Sequence, residues 1–166
     1  MRKAADTQQE TPMTDDLIFE ITDGGDIIKI QPIGHPYLDS VHSLDKNCVR
    51  SYLTVKSGAF GGQFKADIFT FEFEELKQEL RRVYKDLSGE FNFRTREHEL
   101  ELKVKGDGNG HFTVDCTAID HPTWGAQLNF EITFDQTYIP DLVRQLNDIT
   151  RAFPITGDDY RIKNEY

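Results

Sequence analysis

The chain has 166 residues, with 19 Lys or Arg against 29 Asp or Glu for a net charge of -10, 37% hydrophobic residues and two cysteines. That length suits one domain whose single core needs no metal or disulfide staple, and no apolar run approaches the roughly 20 residues that cross a bilayer. No membrane span is therefore expected, and because an acidic balance this strong repels phosphate backbones and attracts basic proteins, a basic protein partner is expected rather than direct nucleic-acid binding.

Residues 1–16 are polar, and their two leading basic residues have no apolar stretch behind them. They read as a disordered leader rather than a secretory signal, and the protein is expected in the cytoplasm. A single domain is expected over residues 17–154, with a loosely packed tail over 155–166. Short strands are expected from Leu17 to Ile21 and from Ile27 to Ile30, joined at Asp23, Gly24, Gly25 and Asp26, where glycine accepts positive φ. Residues 32–49 hold Pro32, Gly34 and Pro36 without a sustained period and read as a loop. A second hairpin is expected from residues 50–57 and 63–71, turning through Gly58 to Gly62.

The period then changes to about 3.6. Phe73, Leu76, Leu80, Val83, Tyr84 and Leu87 form one helical stripe, with Thr70 as N-cap and Gly89 as C-cap. Glu74, Glu75, Lys77, Gln78, Glu79, Arg81 and Arg82 make the solvated face. A short strand over Glu90 to Arg94 leads into a three-stranded meander over residues 97–134, whose alternation specifies one buried and one solvated face. His98, Leu100, Leu102, Val104, Phe112, Val114, Cys116, Ala118, Ala126, Leu128, Phe130, Ile132 and Phe134 are read as inward. Glu97, Glu99, Glu101, Lys103, Asp115, Asn129 and Glu131 are read as outward. Asp135 and Pro140 then announce a second helix with the stripe Ile139, Leu142, Val143, Leu146, Ile149 and Phe153, which Pro154 stops.

Hairpin-length connections imply an α+β fold, mostly antiparallel sheet with two amphipathic helices, in the order ββ-ββ-α-ββββ-α. Periodicity leaves two arrangements open. The helices can cover one sheet, or the strands can split into two layers.

No spacing signals catalysis. The glycines at 106, 108 and 110 join two strands and are followed by a strand rather than by a helix N-terminus, so they form a hairpin turn and not a phosphate loop. Cys116 faces inward among apolar neighbours, a poor setting for a thiolate, and a bridge to Cys48 has little support. No carboxylate pair stands in opposed environments, as acid and base roles require. No histidine pair has metal-ligand spacing, so no metal or other cofactor is expected; a site assembled by tertiary contact from His98, His111 and His121 is the alternative, and would make a small metal-dependent hydrolase. An uncharacterised scaffold subunit is a further alternative.

The runs Leu100 to His111 (LELKVKGDGNGH) and Leu128 to Leu146 (LNFEITFDQTYIPDLVRQL), continuing to Phe153 and Pro154, resemble the WapI-type immunity proteins of bacterial polymorphic toxin systems. The helix end at Tyr84, Leu87, Ser88 and Gly89 and the segment from Glu90 to Phe93 are similar too, so the resemblance covers roughly residues 50–154. It implies an antitoxin that binds and blocks a cognate toxin, often a nuclease, by occupying its surface, with no catalytic residue of its own. On that reading the outward acidic face of the meander (Glu97, Glu99, Glu101, Asp115, Asn129, Glu131) is the first candidate interface. The plainer reading is that Arg94, Arg96, Lys103 and Lys105 neutralise it locally as solvated surface. The loop bearing Tyr37, Asp39 and Asp45 is the second candidate, and Trp124 the third.

Overall fold

Alternating sequence joined by short turns makes hairpins, and every strand pairs with the strand next to it in the chain. The structure is a computed structural model that describes residues 16–157. The leader up to residue 15 and the tail beyond Gly157 lie outside the described residues.

The first half runs β1 (Phe19–Asp23), β2 (Asp26–Gly34), a single helical turn α1 (Ser43–Lys46), β3 (Cys48–Ser57), β4 (Phe60–Phe69) and α2 (Thr70–Asp86). The second runs β5 (Ser88–Arg94), β6 (Leu100–Asp107), β7 (His111–Ile119), β8 (Gln127–Asp135), a 3-10 turn (Gln136–Tyr138) and α3 (Ile139–Ala152). Two antiparallel four-stranded sheets result, ordered β1-β2-β3-β4 and β5-β6-β7-β8. The layout of four strands and a helix therefore occurs twice, although the sequence shows no internal repeat. Gly24 and Gly25, with φ of 58° and 97°, close the first hairpin in the doubly positive-φ turn whose twist matches its strands.

The two sheets and the two long helices share one core. Phe19, Ile28, Ile30, Leu53 and Ile68 come from the first sheet, and Leu100, Leu102, Phe112, Val114 and Ile132 from the second. Phe73, Leu76, Leu80 and Val83 of α2 and Ile139, Leu142, Leu146 and Ile149 of α3 belong to the same cluster. Each such side chain contributes about 1.5–3 kcal/mol by leaving water, so the sheets and helices stabilise one another through this cluster. A polar seam joins the outer strands, where Asp23 of β1 accepts hydrogen bonds from the Thr133 hydroxyl (2.6 Å) and amide (3.4 Å) of β8. Of the two arrangements that periodicity allowed, the strands have split.

Several local expectations are corrected. The segment from 32 to 49 is only partly loop, because β2 continues to Gly34 and β3 begins at Cys48, with α1 between them. Gly61 and Gly62 lie inside β4, so the second hairpin turns through Gly58 and Ala59 alone. Thr70 opens α2 rather than capping it; Glu72 supplies the cap by accepting the Phe69 amide proton at 2.9 Å. At the other end Leu87 takes the left-handed conformation expected of Gly89, which already belongs to β5. Tyr84 is exposed. Lys77 is buried, because the face predicted to be solvated meets α3, where its ammonium pairs with Glu74 at 2.5 Å and donates to Thr150 at 3.0 Å.

Candidate functional site

The outer face of the second sheet is built by register. Asn92, Lys103, Asp115 and Glu131 stand in one cross-strand row, and Arg94, Glu101, Thr117 and Asn129 in the next. Glu90, Lys105, Thr113 and Thr133 form a third. Asp115 and Glu131 are direct neighbours of like charge, an arrangement that costs stability in isolation and is relieved by a cation. Around them the sheet curves into a concavity of about 660 Å³, lined among others by Glu90, Asn92, Lys103, Lys105, Asp115 and Glu131.

Hydrogen bonds hold this face in place. The Asn92 amide donates to Glu101 at 2.9 Å, and Lys103 approaches the same carboxylate at 3.9 Å. The Thr117 hydroxyl and the Gln127 side-chain amide both donate to the Asn129 side-chain oxygen, at 2.8 and 2.9 Å. The face thus offers oriented acceptors and negative potential, diluted on the β5–β6 side by Lys103, Lys105 and Arg94.

Of the six sheet residues named from the sequence, Glu101, Asp115, Asn129 and Glu131 come together here. Glu97 does not, because it lies exposed in the turn between β5 and β6. Glu99 does not either, being only 8% exposed. Strand alternation does not reach these residues, because 95–99 form the turn before β6; in it His98 has a φ of 63° and is exposed, while Glu99 is buried. There the Glu99 carboxylate accepts the Asp67 amide proton of β4 at 3.4 Å and the Thr95 hydroxyl at 3.3 Å, and burial pushes its pKa upward. Ala126, also expected inward, is exposed because it precedes β8.

The loop candidates are tied to the first sheet. The Arg50 guanidinium lies 5.9 Å from the centre of the Tyr37 ring and grips Asp67 through two hydrogen bonds of 2.8 and 3.0 Å. Asp45 accepts the Ser40 hydroxyl at 2.7 Å, and Asp39 is exposed. Asn47 binds the loop to the segment that follows α3, donating to the Thr156 carbonyl (2.7 Å) and accepting the Thr156 amide proton (2.8 Å). Trp124 is 77% exposed in the β7–β8 turn and stacks on His121 with ring centres 4.0 Å apart.

The histidines of the alternative reading do not converge. His111 opens β7 and His121 lies in the turn beyond its last residue, Ile119, so nearly the whole nine-residue strand, at roughly 3.3 Å per residue, separates them. His98 is in the β5–β6 turn, and among the described residues no group of three or more His, Cys, Asp or Glu could hold a metal ion. Cys48 and Cys116 are both buried free thiols, and burial pushes each to a pKa of about 12.

One concave feature had not been singled out in the sequence. A groove of about 300 Å³ runs between Val55 and Phe60 to Phe64 on one wall and Ala118, Asp120 and Ala126 to Leu128 on the other. Phe60 at its mouth is 73% exposed. The only signal was an aromatic residue set between Gly58 and Gly61.

Comparison with known proteins gives a family. The model of the immunity protein WapI-like family matches residues 18–154. No curated protein is matched. The solved structure of the plant transcriptional regulator PBF-2 is similar over 89% of this chain and 92% of its own, at 14% identity and a TM-score of 0.45. A likeness that distant carries no argument here.

Proposed function

The chain belongs to the WapI-like immunity protein family, and on that premise we propose that it neutralises one cognate, basic toxin in the cytoplasm by covering the toxin's working surface, with no bond made or broken. The observation that carries the reading is the family match over 18–154, which spans both sheets and both long helices. The acidic outer face supports the finer part. Asp115 and Glu131 are adjacent carboxylates on a stiff sheet, and a cationic partner relieves their repulsion while a net charge of -10 speeds its approach. A nuclease toxin fits this reading, because an enzyme that grips phosphates presents cations that such a face can occupy.

The test pairs the chain with the toxin domain encoded beside it. Co-expression should restore growth, and the two proteins should form a stoichiometric complex whose association slows as salt is raised. Absence of both protection and complex formation overturns the reading. A toxin that binds but proves to have no nucleic-acid-cleaving activity overturns the nuclease part alone.

A further inference from the structure

The edges of the two sheets are treated unequally along their length. In β4 the even-numbered residues pair with β3, as the bond from the Thr70 amide to the Asn47 carbonyl shows at the end of that ladder. The odd-numbered amides therefore point away from the sheet. At one end of the strand they meet built-in acceptors, Asp67 donating to Glu99 and Phe69 to Glu72. At the other end are Gly61, Gln63 and Lys65, and among the described residues no hydrogen bond reaches their outward amides. The edge of β8 repeats the pattern. Its odd amide at Thr133 meets Asp23, whereas those of Gln127 and Asn129 meet nothing among the described residues. Gly61 and Gln63 of the one stretch and Gln127 of the other line the same groove, with Gly62 and Leu128 beside them; Lys65 and Asn129 lie just beyond it.

A bare strand edge is a template for another strand, and a protein ordinarily blocks it with charge, a bulge or a covering segment. Here half of each edge is blocked by a carboxylate and the other half is left open onto an apolar trough. We propose that an extended segment of the toxin adds to the open edge of β4 in this groove, pairing its backbone with Gly61, Gln63 and Lys65. The inference rests on the immunity reading above. The open amides require an extended backbone, and Phe60 and Phe64 receive an apolar side chain. Asp120 on the facing wall favours a basic flank. The groove also runs into the acidic outer face, because the Gln127 that lines it hydrogen-bonds Asn129. A second copy of this chain is a poorer occupant, since two protomers of net charge -10 repel each other.

Hydrogen exchange on the complex with the toxin domain encoded beside this chain tests the proposal. The amides of Gly61, Gln63 and Lys65 should slow by about tenfold or more relative to the free protein, as expected for newly bonded groups. Gln63→Pro removes one outward N–H without touching the ladder to β3 and should weaken binding about tenfold or more, whereas Gln63→Ala keeps that N–H and should not. Gly62→Phe is the third variant, because a Cβ there meets nothing within 4 Å and the ring would fill the trough. It should weaken binding with an unchanged melting temperature. If the wild-type chain binds the toxin while those amides exchange as in the free protein and all three variants bind normally, the edge proposal fails and the immunity reading stands. If the wild-type chain neither binds nor protects, both fail. Protection of the same amides in the absence of toxin, with a dimer in sedimentation, would assign the edge to self-association and overturn the proposal.

Discussion

Glu99 reaches out of the β5–β6 turn to accept the Asp67 amide proton on the edge of β4, so a carboxylate from one sheet closes the hydrogen-bonding edge of the other. Burial raises its pKa above the ordinary 4.5, which means that folding favours its protonated form. The stability it contributes is complete below the ordinary glutamate range and is lost as pH rises through the raised value. Glu99→Gln mimics the protonated state and removes that dependence. The melting temperature of the variant relative to wild type should therefore climb as pH rises above about 4.5, the ordinary glutamate value, and a flat difference would show that Glu99 is not strained by its charge.

Glu72 is fully buried and accepts two backbone protons, from Phe69 at 2.9 Å and from Arg96 at 2.6 Å, joining the start of α2 to the β5–β6 turn. Glu72→Ala leaves both amides without that acceptor. The expected cost is about 3 kcal/mol, or a melting temperature lower by roughly 10 °C, measured by calorimetry.

Gly106 lies where β6 passes the end of α2 and the core. A Cβ at this position would stand 2.8 Å from the Phe112 ring and 2.9 Å from the Leu87 carbonyl oxygen, and Phe112 is itself stacked on Phe134 at 5.3 Å. Backbone and a packed ring cannot both yield. Gly106→Ala should destabilise by about 1–3 kcal/mol in denaturant titrations, while Gly62→Ala, with open space around it, should cost under about 1 kcal/mol.

Both thiols are shielded, with pKa values pushed up to about 12 by burial. Alkylating reagents act on thiolates, so neither Cys48 nor Cys116 should label in the native protein near pH 8, and both should label together once denaturant unfolds it. Rapid native labelling of either one would show local opening of its strand.

The paired substitution Asp115→Lys with Glu131→Lys reverses the sign of the central row on the outer face. If that face steers the toxin, association should slow by about tenfold at low salt and much less at high salt, with little change in melting temperature. Stopped-flow mixing with the toxin domain measures it.

The hairpins, both long helices and the α+β class were legible because residue alternation and a 3.6-residue stripe report directly which side of an element is buried. Neither signal reports what covers the buried side. The split into two sheets was therefore hidden, as was Lys77, whose helix meets a second helix on a flank that looks solvated in isolation. Parity also holds only while the backbone stays extended. Residues 95–99 form a turn with His98 at a positive φ, so the alternation read from residue 97 onward begins only at Leu100; Glu99 leaves the acidic face while Glu101, Asp115, Asn129 and Glu131 stay in register. The groove was harder to see, because it arises from two strand edges distant in sequence.

Among the described residues every strand pairs only with its neighbours along the chain, so the sheet ladders close over short loops and little chain entropy must be spent before each forms. The first four strands and their helix can begin to assemble while the remainder is still leaving the ribosome. The shared core closes only when Ile139, Leu142, Leu146 and Ile149 of the last helix arrive, so an immunity protein built this way reaches its protective form only after nearly the whole chain has been made.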